Sequence, residues 1–549
     1  MIITASNPGY SVNYSRDTAK LDTTETMVSR GPSTVRLTQK NSSHPLTPWY
    51  WVGTGASGDS GSGGGPTGSG WFGVSLIALT DDDDAWDPDR PIGNMLGWAW
   101  ANSDDKRRLL DQARRGVVMR DPADEFDSEH EARVARGWGG VRWASYGGFL
   151  EAADGWSFGA NQTPLYADGY DWRQPIAQIG LQMAADIVGS SQDSGGRRAI
   201  FDQDRYGATG LLGHANTDQC ILITHSMGGL VTRMALKQCA ALREKTIAVL
   251  HGVQPATGGP LLYRRMVTGV FSPIDGSGFE AMIFRNIIGP EAWDMSTILS
   301  RCPGPMQLLP SNLLRDACAA AGAGMITWTE FEEGRSTVHA VTESVYNVFG
   351  RDETARPPGI VRSTLPAAVR NDLSSRVRGI ESFHGALGRW KFEEKTWAFY
   401  GSGLNTDHTA HFDCPPVSYE TDLVSAGDGM CFEQQFATDA AGNRVVLDEI
   451  NDLIRRGFDP TPRIPDAPST APVGHGLHGD ETVPRLSGCA LFPPSETTTM
   501  TTTMTTSGTV DFSTHPQVNA PGVQHEPAFR DAGIQRLVRT WIQYAITAL

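Results

Sequence analysis

One short stretch limits the possible fold more than any other. Residues 219–224 (Gln-Cys-Ile-Leu-Ile-Thr) form an apolar run of the kind buried on both faces of a parallel sheet. Residues 227–242 follow at once with Leu230, Met234 and Leu242 near helical spacing. Between strand and helix stands the sharp turn Thr224-His225-Ser226-Met227-Gly228-Gly229. Two further apolar runs, 246–250 and 396–400, have strand length. Strand, helix and strand in such close succession predict a βαβ unit, hence an α/β fold with a mostly parallel central sheet and helices on both faces. Residues 530–549 predict an amphipathic helix with Ile534, Leu537, Val538, Trp541 and Ala545 on one side.

The turn itself suggests chemistry. It lifts a serine hydroxyl above the sheet at a helix N-terminus, where free N–H groups and the positive dipole end favour developing negative charge. Ser226 is therefore the expected nucleophile and the Met227 N–H the expected oxyanion donor. Strain at the serine calls for small residues two before and two after; Gly228 complies, whereas Thr224 makes the fit tighter. Ser145-Tyr146-Gly147 competes, but has Trp143 where a small residue is needed. A serine hydroxyl needs a histidine to take its proton and a carboxylate to orient that histidine. His525, in Pro521-Gly522-Val523-Gln524-His525-Glu526-Pro527, suits a base on a late loop better than His515 beside a Thr/Met tract. Asp480, in Gly479-Asp480-Glu481-Thr482-Val483-Pro484, sits in a tight turn with a strand-like exit; Asp428, in Gly427-Asp428-Gly429, is its rival. Either could instead be an ordinary turn aspartate accepting backbone N–H bonds.

Charge excludes other functions. Lys and Arg number 46 against 62 Asp and Glu, a net charge of −16. The basic footprint of a nucleic-acid binder is missing, and charge alone would not hold the chain to an anionic membrane. No window of 18 apolar residues predicts a transmembrane helix, and the N-terminus has no ordinary secretory signal, which suggests synthesis as a soluble protein in a cytoplasm. The seven cysteines contain no CxxC pair and are read mostly as buried thiols, with Cys302/Cys318 or Cys414/Cys431 able to bridge outside the cytosol. His408-x-x-His411-x-Asp413 and His475-x-x-His478-x-Asp480 are loose ligand sets without HExxH, read as surface histidines. The aspartates 81–84 could attract calcium but lack EF-hand spacing. No organic cofactor is expected and no metal is required.

The chain divides into an N-terminal extension at 1–72 with a Gly/Ser-rich loop at 53–70, a first core part at 73–264, an inserted lid or cap at 265–395, and a second core part at 396–549 whose long loops carry acid and base. Polar residues 351–378, the proline-rich connector 459–479 and the Thr/Met tract 493–515 interrupt the pattern; the last cannot build a core by itself. Within the insertion, Phe279, Met282, Ile283 and Ile287 share one helical face, which suits either a lid over an acyl groove or plain core packing.

Together these motifs resemble known lipases. Tyr170-Asp171-Trp172-Arg173 and the Gly-Asp-Glu-Thr-Val-Pro turn resemble segments of lecithin:cholesterol acyltransferase-like hydrolases, with Glu481 where that group has glycine. His251–Gly259 with Tyr263-Arg264-Arg265-Met266, Trp86-Asp87-Pro88-Asp89, and Pro303–Pro310 resemble type VI secretion lipase effectors. The chain is also similar to the lipase-like domain of GPI-inositol deacylases. The resemblance runs as scattered motifs over residues 73–545. It implies an α/β-hydrolase fold and an antibacterial phospholipase made in the bacterial cytoplasm. Such a toxin is delivered by the secretion spike or tube to the periplasm or membrane surface of a target cell, and restrained at home by a cognate immunity protein. Its substrate would be membrane phospholipid, not nucleic acid. Relatives take a second oxyanion N–H from a loop after the first core strand; residues 73–75 and 53–70 compete for that place. A lipid acyltransferase with the same triad, or a non-catalytic binding protein on a hydrolase scaffold, are the rival readings.

Overall fold

The computed structural model describes residues 2–5, 143–158, 164–189 except 171, 210–268 except 216, 292–414 except 333, 334, 353, 354, 364, 393, 394 and 405, 419–425, 431–438, 444–447, 458–459, 478–500 and 515–547, with a few positions between 133 and 141. Its strands are β1 (Ile2–Ala5), β2 (Leu165–Tyr166), β3 (Gln219–His225), β4 (Thr246–Gly252), β5 (Ile326–Glu332), β6 (Arg335–Ala340), β7 (Thr396–Ser402), β8 (Ala410–Cys414), β9 (Tyr419–Ser425), β10 (Cys431–Thr438), β11 (Arg444–Leu447), β12 (Phe458–Asp459), β13 (Thr497–Thr499) and β14 (Gln517–Pro521). The central sheet has the order β13-β14-β7-β4-β3-β1-β2. Its five strands from β13 to β3 are parallel, while β1 joins β3 and β2 joins β1 antiparallel. Ile2–Ala5, from the stretch expected to be an extension, thus lies beside β3.

The apolar runs are strands because both sheet faces are covered. Along β3, Cys220 and Leu222 enter one core and Ile221 and Ile223 the other. The first core is closed by helices Ile176–Val188 and Met227–Gln238, the second by Trp143–Asp154 and Ala532–Thr547. Each fully buried aliphatic side chain contributes roughly 1.5–3 kcal/mol. Ile534, Leu537, Val538, Trp541 and Ala545 form the buried stripe of the last helix.

Some expectations need correction. The helix expected over 227–242 breaks at Cys239, whose backbone is extended and whose Sγ accepts the Leu242 N–H to cap a second helix, Ala240–Lys245. Polar residues 351–378 contain the whole first half of helix Ala367–Leu387, with Val369, Leu373, Val377, Ile380, Phe383 and Leu387 buried at helical spacing between more exposed polar residues. In the Thr/Met tract, Thr497–Thr499 makes edge strand β13, supported by β14. Cys302 and Cys318 are both buried and unbridged; the side chains of Cys414 and Cys431 lie outside the described residues. So do the Gly/Ser loop 53–70, the acidic run 81–84, the apolar stripe 279–287 and Asp428.

Between β4 and β7 the chain adds helices Ala292–Leu299, Asn312–Ala320 and Ala367–Leu387 and the strands β5 and β6, which join β8 and β12 in a second sheet of order β12-β8-β5-β6. β8, which lies past β7 in sequence, pairs parallel with β5 and so ties the insertion to the later part of the chain.

Candidate active site

Ser226 follows the last residue of β3 and begins helix Met227–Gln238. Its φ of 53° and ψ of −129° are unusual for a non-glycine residue, and its N–H is held by the Gly252 carbonyl at the end of β4, 3.0 Å away. A serine at this position ordinarily caps its helix. Here the hydroxyl makes no cap bond and lies 2.9 Å from His525 Nε2 instead. Thr224 fits where a glycine is usual because it is wholly buried with Oγ1 hydrogen-bonded to His251 Nδ1 of β4 at 2.8 Å. The competing Ser145 belongs to helix Trp143–Asp154, not to a strand-to-helix turn.

Asp480 is positioned by a turn that only glycine can begin: a Cβ on Gly479 would lie 1.7 Å from the Val483 carbonyl oxygen. One carboxylate oxygen of Asp480 accepts the N–H groups of Thr482 at 3.0 Å and Val483 at 2.6 Å. The other lies 3.0 Å from His525 Nδ1. The exit of the turn is not the expected strand: Pro484, in extended backbone, is the N-cap of the short helix Arg485–Gly488. Glu481 takes a left-handed φ of 80°, a conformation that glycine would adopt without strain. Thr406 steadies the turn, its Oγ1 accepting the N–H groups of Gly479 and Glu481.

His525 lies just after β14 and before helix Ala532–Thr547, with its N–H donated to the Asp480 carbonyl at 2.9 Å. A carboxylate accepts only, so Nδ1 carries the proton and Nε2 presents a lone pair to Ser226. Ser226, Asp480 and His525 are 8%, 1% and 6% exposed, so this chain of bonds is nearly free of competing water. The structure brings these three residues together at the C-terminal ends of parallel strands. His515, half-buried before β14, takes no part in these contacts.

Two neighbours were not anticipated. His225 Nε2 lies 2.8 Å from the His525 carbonyl oxygen, and its Nδ1 lies 3.0 Å from the Tyr146 hydroxyl. Only the strand alternation of β3, which turns His225 to the same face as Ile221 and Ile223, hinted at a buried position for it. Within helix Met227–Gln238, Arg233 is wholly buried and donates to the carbonyls of Trp390, Gly388 and Ala256. Burial lowers its pKa to about 9. Burial and then the Arg233 charge push His251 down to about 3, which keeps that ring neutral.

Segments distant in sequence converge around the loop after β4. Gly259 N–H bonds the Leu308 carbonyl, Ser311 N–H the Thr257 carbonyl, and Thr257 N–H the Ser487 hydroxyl. Of the two loose ligand sets, His408 is buried rather than on the surface and meets His478 edge to face at 5.2 Å, while the Asp480 carboxylate is committed to His525 and its own turn. Among the described residues no three His, Cys, Asp or Glu side chains gather as metal ligands would, and no helix is long and apolar enough to cross a membrane.

Five parallel strands flanked by helices, with a strained serine between β3 and its helix, define the α/β-hydrolase fold. The chain is similar to the crystal structure of the Tle4–Tli4 complex: the likeness covers 83% of this chain and 91% of that one, with a TM-score of 0.52 and 18% identity. At that identity the likeness concerns the fold. No protein-family model matches the chain, and no curated protein matches it in sequence.

Proposed function

We propose that the protein is a serine lipase that hydrolyses acyl esters of membrane phospholipids. The observation that carries this reading is the continuous chain from Asp480 through His525 to Ser226, at 3.0 and 2.9 Å. Ser226 Oγ attacks the acyl carbonyl as His525 Nε2 takes its proton. Asp480 holds the ring and stabilises the imidazolium that forms. The Met227 N–H binds the oxyanion, an interaction whose loss typically costs roughly 100- to 1000-fold in rate. His525 then returns the proton to the departing glycerol oxygen, and water releases the acyl group from Ser226. None of these steps calls for an organic cofactor.

Likeness in fold to Tle4, a type VI lipase effector solved with its immunity protein, supports the further reading as an antibacterial toxin. In that reading the protein is carried by the type VI spike or tube to the periplasm or membrane surface of another cell, and a small cognate immunity protein restrains it at home. The test is incubation with vesicles of defined phospholipids, identifying released fatty acid and lysolipid. Ser226→Ala should lower turnover on the order of a million-fold and abolish labelling by a fluorophosphonate while the protein stays folded. Retained turnover in that variant would remove Ser226 from the reaction.

A further inference from the structure

Residues 221, 223 and 225 of β3 point to the same face, where the first two enter an apolar core shared with Tyr146 and Phe529. An aliphatic or phenyl side chain would satisfy the packing at position 225. The residue there is a wholly buried histidine, and a buried imidazole is costly unless its nitrogens are bonded. Both are. The His525 carbonyl can only accept, so His225 Nε2 carries a proton and donates it across 2.8 Å. The neutral ring then offers a lone pair at Nδ1, and the Tyr146 hydroxyl donates to it across 3.0 Å. Tyr146 thereby selects the tautomer in which His225 can grip the His525 main chain.

The geometry points to His225 as a positioning residue, which with Tyr146 holds the main chain of His525 so that its ring stays aligned between Asp480 and Ser226. This inference rests on the proposed roles of Ser226 and His525. The His525 peptide is clasped on both sides: its N–H is bonded to the Asp480 carbonyl and its C=O to His225. The two rings approach at 5.1 Å between centroids, and Phe529 closes the far side of His225 at 5.8 Å. Without the second clasp the peptide can rotate about the first, and the Nε2 of His525 swings away from Ser226 Oγ. Displacement of a reacting group by about 1 Å costs on the order of 100-fold in rate. Substrate need not touch His225, so binding should be unaltered.

The test compares His225→Leu, His225→Gln and Tyr146→Phe, each checked by circular dichroism and thermal melting. It follows kcat and KM on a short-chain p-nitrophenyl ester and the rate of fluorophosphonate labelling at Ser226. His225→Leu should lower kcat and the labelling rate about 100-fold with KM within twofold. His225→Gln, which keeps an N–H donor near the place of Nε2, should recover at least a tenth of wild-type kcat. Tyr146→Phe should lower kcat about tenfold and add nothing in the His225→Leu background, because the two act as one unit. Should His225→Leu fail to fold, the glutamine and Tyr146 variants carry the comparison. Wild-type labelling in His225→Leu or Tyr146→Phe, a glutamine variant no better than leucine, or an effect on KM alone would overturn the inference. If Ser226→Ala is inactive and the His225 variants are unimpaired, this inference alone fails. If Ser226→Ala stays fully active, the reading of the site fails and takes this inference with it.

Discussion

A single methyl group added at Gly401 should disable the site by separating acid from base. Gly401 lies in β7, paired with Ala520 of β14, directly beneath the two loops that deliver Asp480 and His525. A Cβ there would stand 2.5 Å from the Val523 carbonyl oxygen and 2.6 Å from Asp480 Cβ. Neither is the free end of a flexible side chain. To restore an ordinary contact of 3.4 Å, each must retreat by about 0.8–0.9 Å. Shifts of that size at Asp480 and in the loop that carries His525 should lengthen or break the 3.0 Å bond between them. Overpacking of this kind costs typically 1–3 kcal/mol in stability, and misplacement of catalytic groups by nearly 1 Å costs on the order of 100-fold in kcat. The assay is fatty-acid release from phospholipid vesicles by Gly401→Ala, with labelling of Ser226 by a fluorophosphonate and urea unfolding as companions. Folded protein with kcat within threefold of wild type would show that the two loops yield independently of the strand, and would refute the reasoning.

Other outcomes follow from the same geometry. Asp480→Asn should lower kcat about 10⁴-fold by favouring the wrong imidazole tautomer, and Asp428→Asn should leave it nearly unchanged; the reverse order, read from steady-state kinetics, would move the acid to Asp428. Glu481→Gly relieves a left-handed φ of 80° and should leave stability unchanged or raise it by up to about 1 kcal/mol; a loss above about 1 kcal/mol in urea unfolding would show that its bonds to Gln524 outweigh the strain. Burial keeps His251 and His408 neutral, with pKa values lowered to about 3 and about 4. The unfolded chain therefore binds more protons than the folded one below pH 6.5, and stability falls as pH drops from 6.5 toward 4. Between pH 7 and pH 5 the loss should be about 2–4 kcal/mol; an unchanged urea midpoint would mean that these rings protonate freely in the fold.

What could be seen in the sequence was local and repetitive. The strand β3, its turn and its helix were legible because burial on both faces leaves a bare apolar run and because a helix needs its stripe. Ser226, Asp480 and His525 could be nominated from turn chemistry and chain order, and the structure places His525 within hydrogen-bonding distance of both Ser226 and Asp480. Interactions without a local signature stayed hidden. The bond from Tyr146 to His225 crosses 79 residues, and that from His225 to His525 crosses 300. The low-complexity Thr497–Thr499 becomes a strand because β14 supplies hydrogen-bond partners, which composition does not report. Helix Ala367–Leu387 was obscured by arginines on its exposed faces, although its apolar stripe lies at regular spacing beneath them. Thr224 looked awkward in isolation because its partner, His251, lies on the neighbouring strand.

The serine and its histidine are 299 residues apart. During synthesis at 5–20 residues per second, the strained turn leaves the ribosome roughly 15–60 seconds before the imidazole that would activate it. On the proposed roles of Ser226 and His525, a nascent or prematurely terminated chain carries an inert alcohol, and the site is assembled only once the segment after β14 has folded beside β7.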